Sequence, residues 1–272
     1  MKRLLRKDNF LDSVDATTGS TFQTSKGLTV IVLPMSLQLS NGQLATGKIH
    51  VETMLIRQRG DMVRLDKPTT SFGRVLISGG EIFVRIRKDN EELSLAPGKT
   101  IYIRYNDSSP SSLMKLFYGD ESNPERFNWV SSTSNGYGAV GVNSQGYELV
   151  SDRLRWINCD YFADSSGSRV NVTASLPTDY TNANTSVYLV FKDIKSVAGM
   201  YGDAASRKFY SSKVPSGKVA VVVSITKKGT NSYYLGHETI TTGQTSLNGT
   251  QVVPLKPQPT SLSDIKAYLN TL

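Results

Sequence analysis

The chain has 272 residues, of which 38% are hydrophobic and 20% charged, and a formal net charge of +8. That length suffices for two ordinary domains, and the modest apolar content suits sheets that bury one face better than a single large core. Cys159 is the sole cysteine, which excludes an intrachain disulfide and a Cys-rich metal site, and no apolar run approaches the ~20 residues of a membrane helix.

The positive charge does not read as a nucleic-acid footprint. Its dense part is confined to Lys2, Arg3, Arg6 and Lys7, and the other cations are interspersed with acids. Met1–Phe10 has a basic start without the apolar stretch of a signal peptide. The chain is therefore expected to be either cytoplasmic or missing a targeting segment.

Thr, Tyr and Val are plentiful and favour pleated, half-buried surfaces. Asp12–Gly19 is turn-like, and Leu28–Pro34 reads as a buried strand closed by proline. Asn41-Gly42 marks a turn. In Lys48–Arg57, Ile49, Val51, Thr53 and Leu55 alternate with His50, Glu52, Met54 and Ile56; both faces are partly apolar, as in a central strand. Gly79-Gly80 separates Arg74–Ser78 from Glu81–Arg87 and is read as a turn or sharp bend in preference to a bulge. Glu81–Arg87 alternates as a strand, which argues against a phosphate-cradling loop at the two glycines. Asp89-Asn90 and Pro97-Gly98 supply turns, the second of type II, and Thr100–Tyr105 points Ile101 and Ile103 inward.

Asn106–Ser112 breaks the pattern, Leu113–Tyr118 and Phe127–Val130 read as short strands, and Ser131–Gly146 is poor in apolar residues. A second series begins at Tyr147–Phe162. It continues through Arg169–Leu176, Ser186–Asp193 and Lys218–Lys227, and then a hairpin at Lys228-Gly229 into Ser232–Leu235. Pro254–Pro259 is extended. Ser261–Leu272 is a helix capped by Ser261 or Ser263, with Leu262, Ile265, Leu269 and Leu272 on one stripe. The expectation is an all-β protein of two β-sandwich-like antiparallel domains with a short C-terminal helix. Its parts would be a sandwich over 9–106, a loop-rich connection over 107–146, a second β-domain over 147–258 and a helix over 260–272 packing on that domain.

Catalytic chemistry finds little support. His50 and His237 are not at metal-ligand spacing, no Gly-x-Ser-x-Gly elbow occurs, and Cys159 has no signature base beside it. Cys159 is expected to be a small buried side chain near Trp156 and Phe162. Asp120, Glu121 and Glu125, or Asp89, Glu91 and Glu92, have no dedicated calcium spacing, so no metal or cofactor is expected. Tyr105, Phe117, Tyr118, Phe127, Trp129 and Tyr137 gather around the middle of the chain. Packing explains most such rings, but Tyr118, Trp129 and Tyr137 are the candidate ligand-binding residues if a stacking platform exists.

The order of several motifs carries a resemblance. Gly19-Ser20-Thr21-Phe22-Gln23-Thr24, Leu28–Pro34, Gly47–Glu52, Asp61-Met62, Pro68-Thr69-Thr70-Ser71 and Ser78-Gly79-Gly80-Glu81-Ile82 resemble a family of Bacteroidota cell-envelope hypothetical lipoproteins. Their amino-terminal module is similar to the zonula-occludens/uncoordinated-type β-sandwich of ankyrins and netrin receptors. Met114–Gly119, Asn128-Trp129, Trp156–Asp160 with Phe162, Val187–Asp193 and the closing helix continue the likeness over nearly the whole chain. The resemblance implies an exported, lipid-anchored, non-catalytic protein. It departs from the family in having neither a signal peptide nor a lipoprotein cysteine near Met1, so a membrane would be met only through an anchor that this chain lacks. The self-cleaving His-Phe-Ser site of some eukaryotic relatives is missing too, and Arg126-Phe127-Asn128 does not replace it. The implied partner is a protein at the cell surface or envelope; the alternative, drawn from the aromatic middle segment, is a glycan-binding module, and the spread of charge argues against nucleic acid. A glycan binder should expose rings on one face, an interaction protein an apolar patch or open sheet edge, and an enzyme a deep pocket with converging acids.

Overall fold

The computed structural model describes residues 10–24, 26–123, 126–132, 138–163, 167–203, 208–244 and 247–272. Alternating side chains turn most of these residues into strands. The first part of the chain forms β1 (Phe10–Asp15), β2 (Ser20–Gln23), β3 (Leu28–Val32), β4 (Leu37–Gln38) and β5 (Lys48–Ile56). Helix α1 (Arg59–Leu65) interrupts them before β6 (Thr70–Ser71), β7 (Arg74–Lys88), β8 (Glu91–Glu92), β9 (Ser94–Leu95) and β10 (Ile101–Asn106). Next come β11 (Lys115–Asp120), β12 (Asn128–Ser131), β13 (Ala139–Asn143), β14 (Gly146–Ser151) and β15 (Arg155–Phe162).

These strands build one sandwich. One sheet runs β1-β5-β7-β15-β11-β12, and the other runs β13-β14-β10-β3-β2. In β10, Ile101, Ile103 and Tyr105 are buried while Tyr102, Arg104 and Asn106 face outward, and Val30, Val32, Ile49, Val51, Ile82 and Val84 join Ile101 and Ile103 in the core between the sheets. The division expected at 107–146 is therefore displaced. β14 pairs with β10 and β15 with β7, so Tyr147–Phe162 completes the first sandwich instead of opening a second domain. Polar, Gly-rich composition hid β13 (Ala139–Asn143) within Ser131–Gly146, and it carries no information on which sheet the flanking strands join.

Gly79-Gly80 also differs from expectation. β7 continues through it, and the pairing slips from Cys159↔Gly80 to Asp160↔Ser78, leaving Gly79 as the extra residue of a β-bulge. Gly80 has φ 154°, and a Cβ at Gly79 would meet Cys159 O at 3.0 Å; two glycines allow the long strand to bend without ending.

The remaining strands are β16 (Arg169–Ser175), β17 (Thr185–Phe191), β18 (Val197–Asp203), β19 (Lys208–Pro215), β20 (Val219–Lys228), β21 (Ser232–Thr241), β22 (Thr250–Pro254) and β23 (Gln258–Thr260), followed by α2 (Leu262–Asn270). They form a single sheet ordered β22-β16-β19-β18-β17-β20-β21-β23. Its pairings are antiparallel except β16 with β22. In β17, Val187, Leu189 and Phe191 enter the second unit's own core with Val172, Phe209 and Val222. Tyr188 and Val190, on the opposite face, enter a core shared with the first sandwich. Burial on both faces explains the nearly continuous apolar runs of β17 and β20.

The shared core joins Met54, Ile56, Phe83, Phe117, Trp129 and Trp156 of the first sandwich to Val190, Val221, Val223 and Ile225 of the second sheet. At about 1.5–3 kcal/mol per large buried side chain, this interface resembles a domain interior and holds the two units as one body. The helices complete it. α2 is capped by Ser261, whose Oγ accepts from Asp264 N at 3.0 Å, and buries Ile265 and Leu269. It rests against α1 as well as the second sheet. A Cβ at Gly60 would lie 1.7 Å from Leu269 O, so the two helix backbones touch. Arg59 donates to Leu272 O, Lys192 O and Ile194 O at 3.2–3.3 Å, tying sandwich, sheet and terminal helix together.

Candidate functional site

The rings singled out from the sequence do not meet as a platform. Trp129 is fully buried; its Nε1 donates to Pro68 O at 3.0 Å, and Phe127 packs edge-on to it at 4.8 Å. Tyr118 is buried and donates its hydroxyl to Asp152. Tyr137 lies outside the described residues. Trp129 and Tyr118 thus present no open face to a ligand: their sheet is covered on both sides, one by the second sheet of its own sandwich and the other by the second unit.

Exposed rings instead occur where the two units meet at the surface. β6 and β7 pair as Ser71↔Arg74, leaving Phe72 and Gly73 as a two-residue hairpin loop with φ 47° and 79°. Two positive φ values define a type I′ turn, which favours Asn-Gly and penalises a bulky first residue. Phe72 nevertheless occupies it, 76% exposed, with its backbone N–H held by Asn128 Oδ1 at 2.7 Å. Across the junction, Tyr201 of β18 and Tyr210 of β19 are direct cross-strand partners and share one sheet face. Tyr210 is 42% exposed. Tyr201 lies back over Gly199, whose hydrogen leaves room for the ring, and the Arg126 guanidinium stacks 4.5 Å from its centroid. Burial and nearby Asp66 push the Tyr201 hydroxyl up to about 12, so it remains a donor at neutral pH.

Two cavities of about 310 Å³ each adjoin at this point. Both are lined by Arg126, Phe127, Gly199 and Tyr201; one extends along Asp66, Asn182 and Tyr188, the other along Phe72, Asp120, Asn128, Tyr210 and Ser212. The Ser122 side chain and Ser122 N, the latter at 2.9 Å, both hydrogen-bond to Asp120 and lower its pKa, so it is ionised at neutral pH. Together they form a groove with open rings, a cation, carboxylates, and amide and hydroxyl groups.

A second unusual cluster is closed to solvent. Glu81, Asn158, Asp160 and Ser78 are buried on the face of the first sandwich that meets the second unit. Ser78 N donates to Lys195 O at 2.9 Å, and Asn158 Nδ2 to Asp160 Oδ2 at 2.6 Å. Among the described residues, neither Glu81 carboxylate oxygen has a hydrogen-bond partner, nor does Asp160 Oδ1. Burial, with the Asp160 charge added, raises Glu81 well above the ordinary carboxylate range, and burial raises Asp160 to about 8. Both therefore favour the protonated form. They line neither junction cavity.

The other chemical candidates are dispersed. Cys159 is buried in the first core, where desolvation pushes its thiol up to about 12, away from the reactive thiolate. His50 Nδ1 lies 3.0 Å from Ser13 Oγ on an exposed face, and His237 stacks on Tyr268 at 4.7 Å. Glu121 is engaged by Arg155 and Lys67, and Glu92 by Arg155. Glu125 lies outside the described residues, among which no group of three or more His, Cys, Asp or Glu side chains is arranged to hold a metal. No helix among them is long and apolar enough to cross a membrane.

Comparison with protein-family models finds no match, and comparison with curated proteins finds none either. The functional reading therefore stands on the groove itself. Phe72, Tyr201 and Tyr210 were missed because they lie far apart in sequence, outside the aromatic-rich middle. Ser71-Phe72-Gly73-Arg74 does contain a usable signal: a large ring directly before the glycine of a tight turn. Gly199 and Gly202 beside Tyr201 supply another, since small neighbours give a ring room to lie down.

Proposed function

We propose that this is a non-catalytic binding protein of the cell envelope, exported and lipid-anchored in its native form, that meets its ligand in the groove between its two units. Phe72 carries the binding part of this reading, and the order of motifs from Gly19–Thr24 to the closing helix carries the envelope part. A large apolar ring held at positive φ and exposed to water costs stability both in the backbone and in hydration, and such a cost is expected where the ring has something to bind. Support also comes from the fused interface, which holds Phe72 and Tyr210 on rigid elements of different units and so sets their spacing in advance.

The test is adsorption of purified protein to washed cell envelopes, comparing the natural sequence with Phe72→Asn and Tyr210→Ala. The expected result is saturable adsorption that both substitutions reduce by about tenfold. Adsorption unaffected by either substitution would place the binding surface elsewhere and defeat this reading.

A further inference from the structure

Resting on the groove reading above, we infer that the ligand is a neutral oligosaccharide, its sugar rings laid on Phe72 and Tyr210 and its hydroxyls met by the polar groups between them. A pyranose has a face of C–H hydrogens and a rim of hydroxyls, so it needs an open ring next to mixed donors and acceptors. The groove supplies that combination. Among the described residues, Phe72 and Tyr210 are its two exposed rings, at 76% and 42%. Asp120, Asn128 and Ser212 line the same cavity, offering carboxylate, amide and hydroxyl groups of the kinds that pair with sugar hydroxyls.

Charge narrows the class. Arg126, stacked 4.5 Å from the Tyr201 ring centroid, is the one cation among the described residues that line either cavity, and the Asp66 and Asp120 side chains in the same lining outnumber it. The Asp120 carboxylate lies in the same cavity as Phe72 and opposes a second negative charge there. Phosphates and nucleic acids, which call for clustered cations and bidentate arginines, do not fit. Acidic sugars are disfavoured by the same count. A peptide that adds a strand needs an open sheet edge, whereas the groove offers a hairpin tip and two side-chain rings; a proline-rich peptide laid on those rings is the occupant that the protease arm below would reveal.

The turn provides a test that separates folding from binding. Phe72→Asn creates the Asn-Gly pair that a type I′ turn favours, so this variant should melt at or above the temperature of the natural sequence while losing the platform. On an array of neutral and acidic oligosaccharides, the natural sequence should bind neutral members. Phe72→Asn and Tyr210→Ala should each lose about tenfold in affinity, and Phe72→Trp should retain most of it. Absence of binding, binding to acidic members only, or equal binding by Phe72→Asn overturns the inference. The two levels are separated by treating washed envelopes before adsorption. If periodate, which cleaves sugar diols, abolishes Phe72-dependent adsorption, the glycan assignment is supported. If protease abolishes it and periodate does not, the groove stands and the glycan assignment falls. If adsorption ignores Phe72 altogether, both fall.

Discussion

The molecule holds two sets of aromatic residues with opposite physical character. Phe117 and Trp129 lie in the shared core, inside the aromatic-rich middle of the sequence and closed to solvent. Phe72 and Tyr210 lie in the open groove, far apart in sequence and brought together by the docking of two sheets. The first set explains why the two units behave as one body, and the second is where a ligand can be reached. Local aromatic density marks a core as readily as a site; exposure maintained at a conformational cost distinguishes the site.

That contrast can be broken at several points, the largest effect first. Trp129→Ala removes a fully buried ring and leaves Pro68 O without its indole donor, so denaturant unfolding should show a loss of about 3–5 kcal/mol. Protein that remains folded should keep its binding. Gly60→Ala drives a methyl into the Leu269 carbonyl and should cost about 1–3 kcal/mol. Faster amide hydrogen exchange in α2 would report its displacement.

The buried carboxyl pair should make stability depend on pH. Burial raises Glu81 and Asp160 in the folded state, Asp160 to about 8, whereas in the unfolded chain such groups titrate near pH ~4. Between these limits the folded protein binds more protons than the unfolded one, so stability falls as pH rises from about 4 to about 8, by at most ~1.4 kcal/mol per pH unit for each carboxyl. Glu81→Gln should flatten that slope in unfolding curves recorded across the range. An unchanged slope would mean that Glu81 is not protonated in the folded state. The smallest expected stability change is that of Phe72→Asn, a gain of about 1 kcal/mol from relief at a positive-φ site.

Much of the scaffold was legible in the residues themselves. The alternation in Thr100–Tyr105 placed Ile101 and Ile103 inward, Pro97-Gly98 gave its turn with Gly98 at φ 72°, and Ser261 capped α2. The two-sided apolar pattern of Lys48–Arg57 is met by β5 lying between β1 and β7. The rest depended on distant contacts. Nothing local says that β15 pairs with β7, because pairing is decided by the whole sheet. α1 has no side-chain cap at Gln58 and comes almost directly after a strand, so its start carries no signal. Gly79-Gly80 is compatible with turn or bulge until the partner strand is known. The groove was the least legible feature, since its rings come from a hairpin of one unit and two strands of the other.

The most direct test of the central claim uses protein labelled with fluorophenylalanine, its Phe72 resonance assigned by the loss of one signal in Phe72→Asn. Titration with a neutral oligosaccharide selected from the array should shift the fluorine signal of Phe72 in a saturable way and leave those of Phe83 and Phe117 in place. A titration in which the buried rings respond and Phe72 does not would contradict the account.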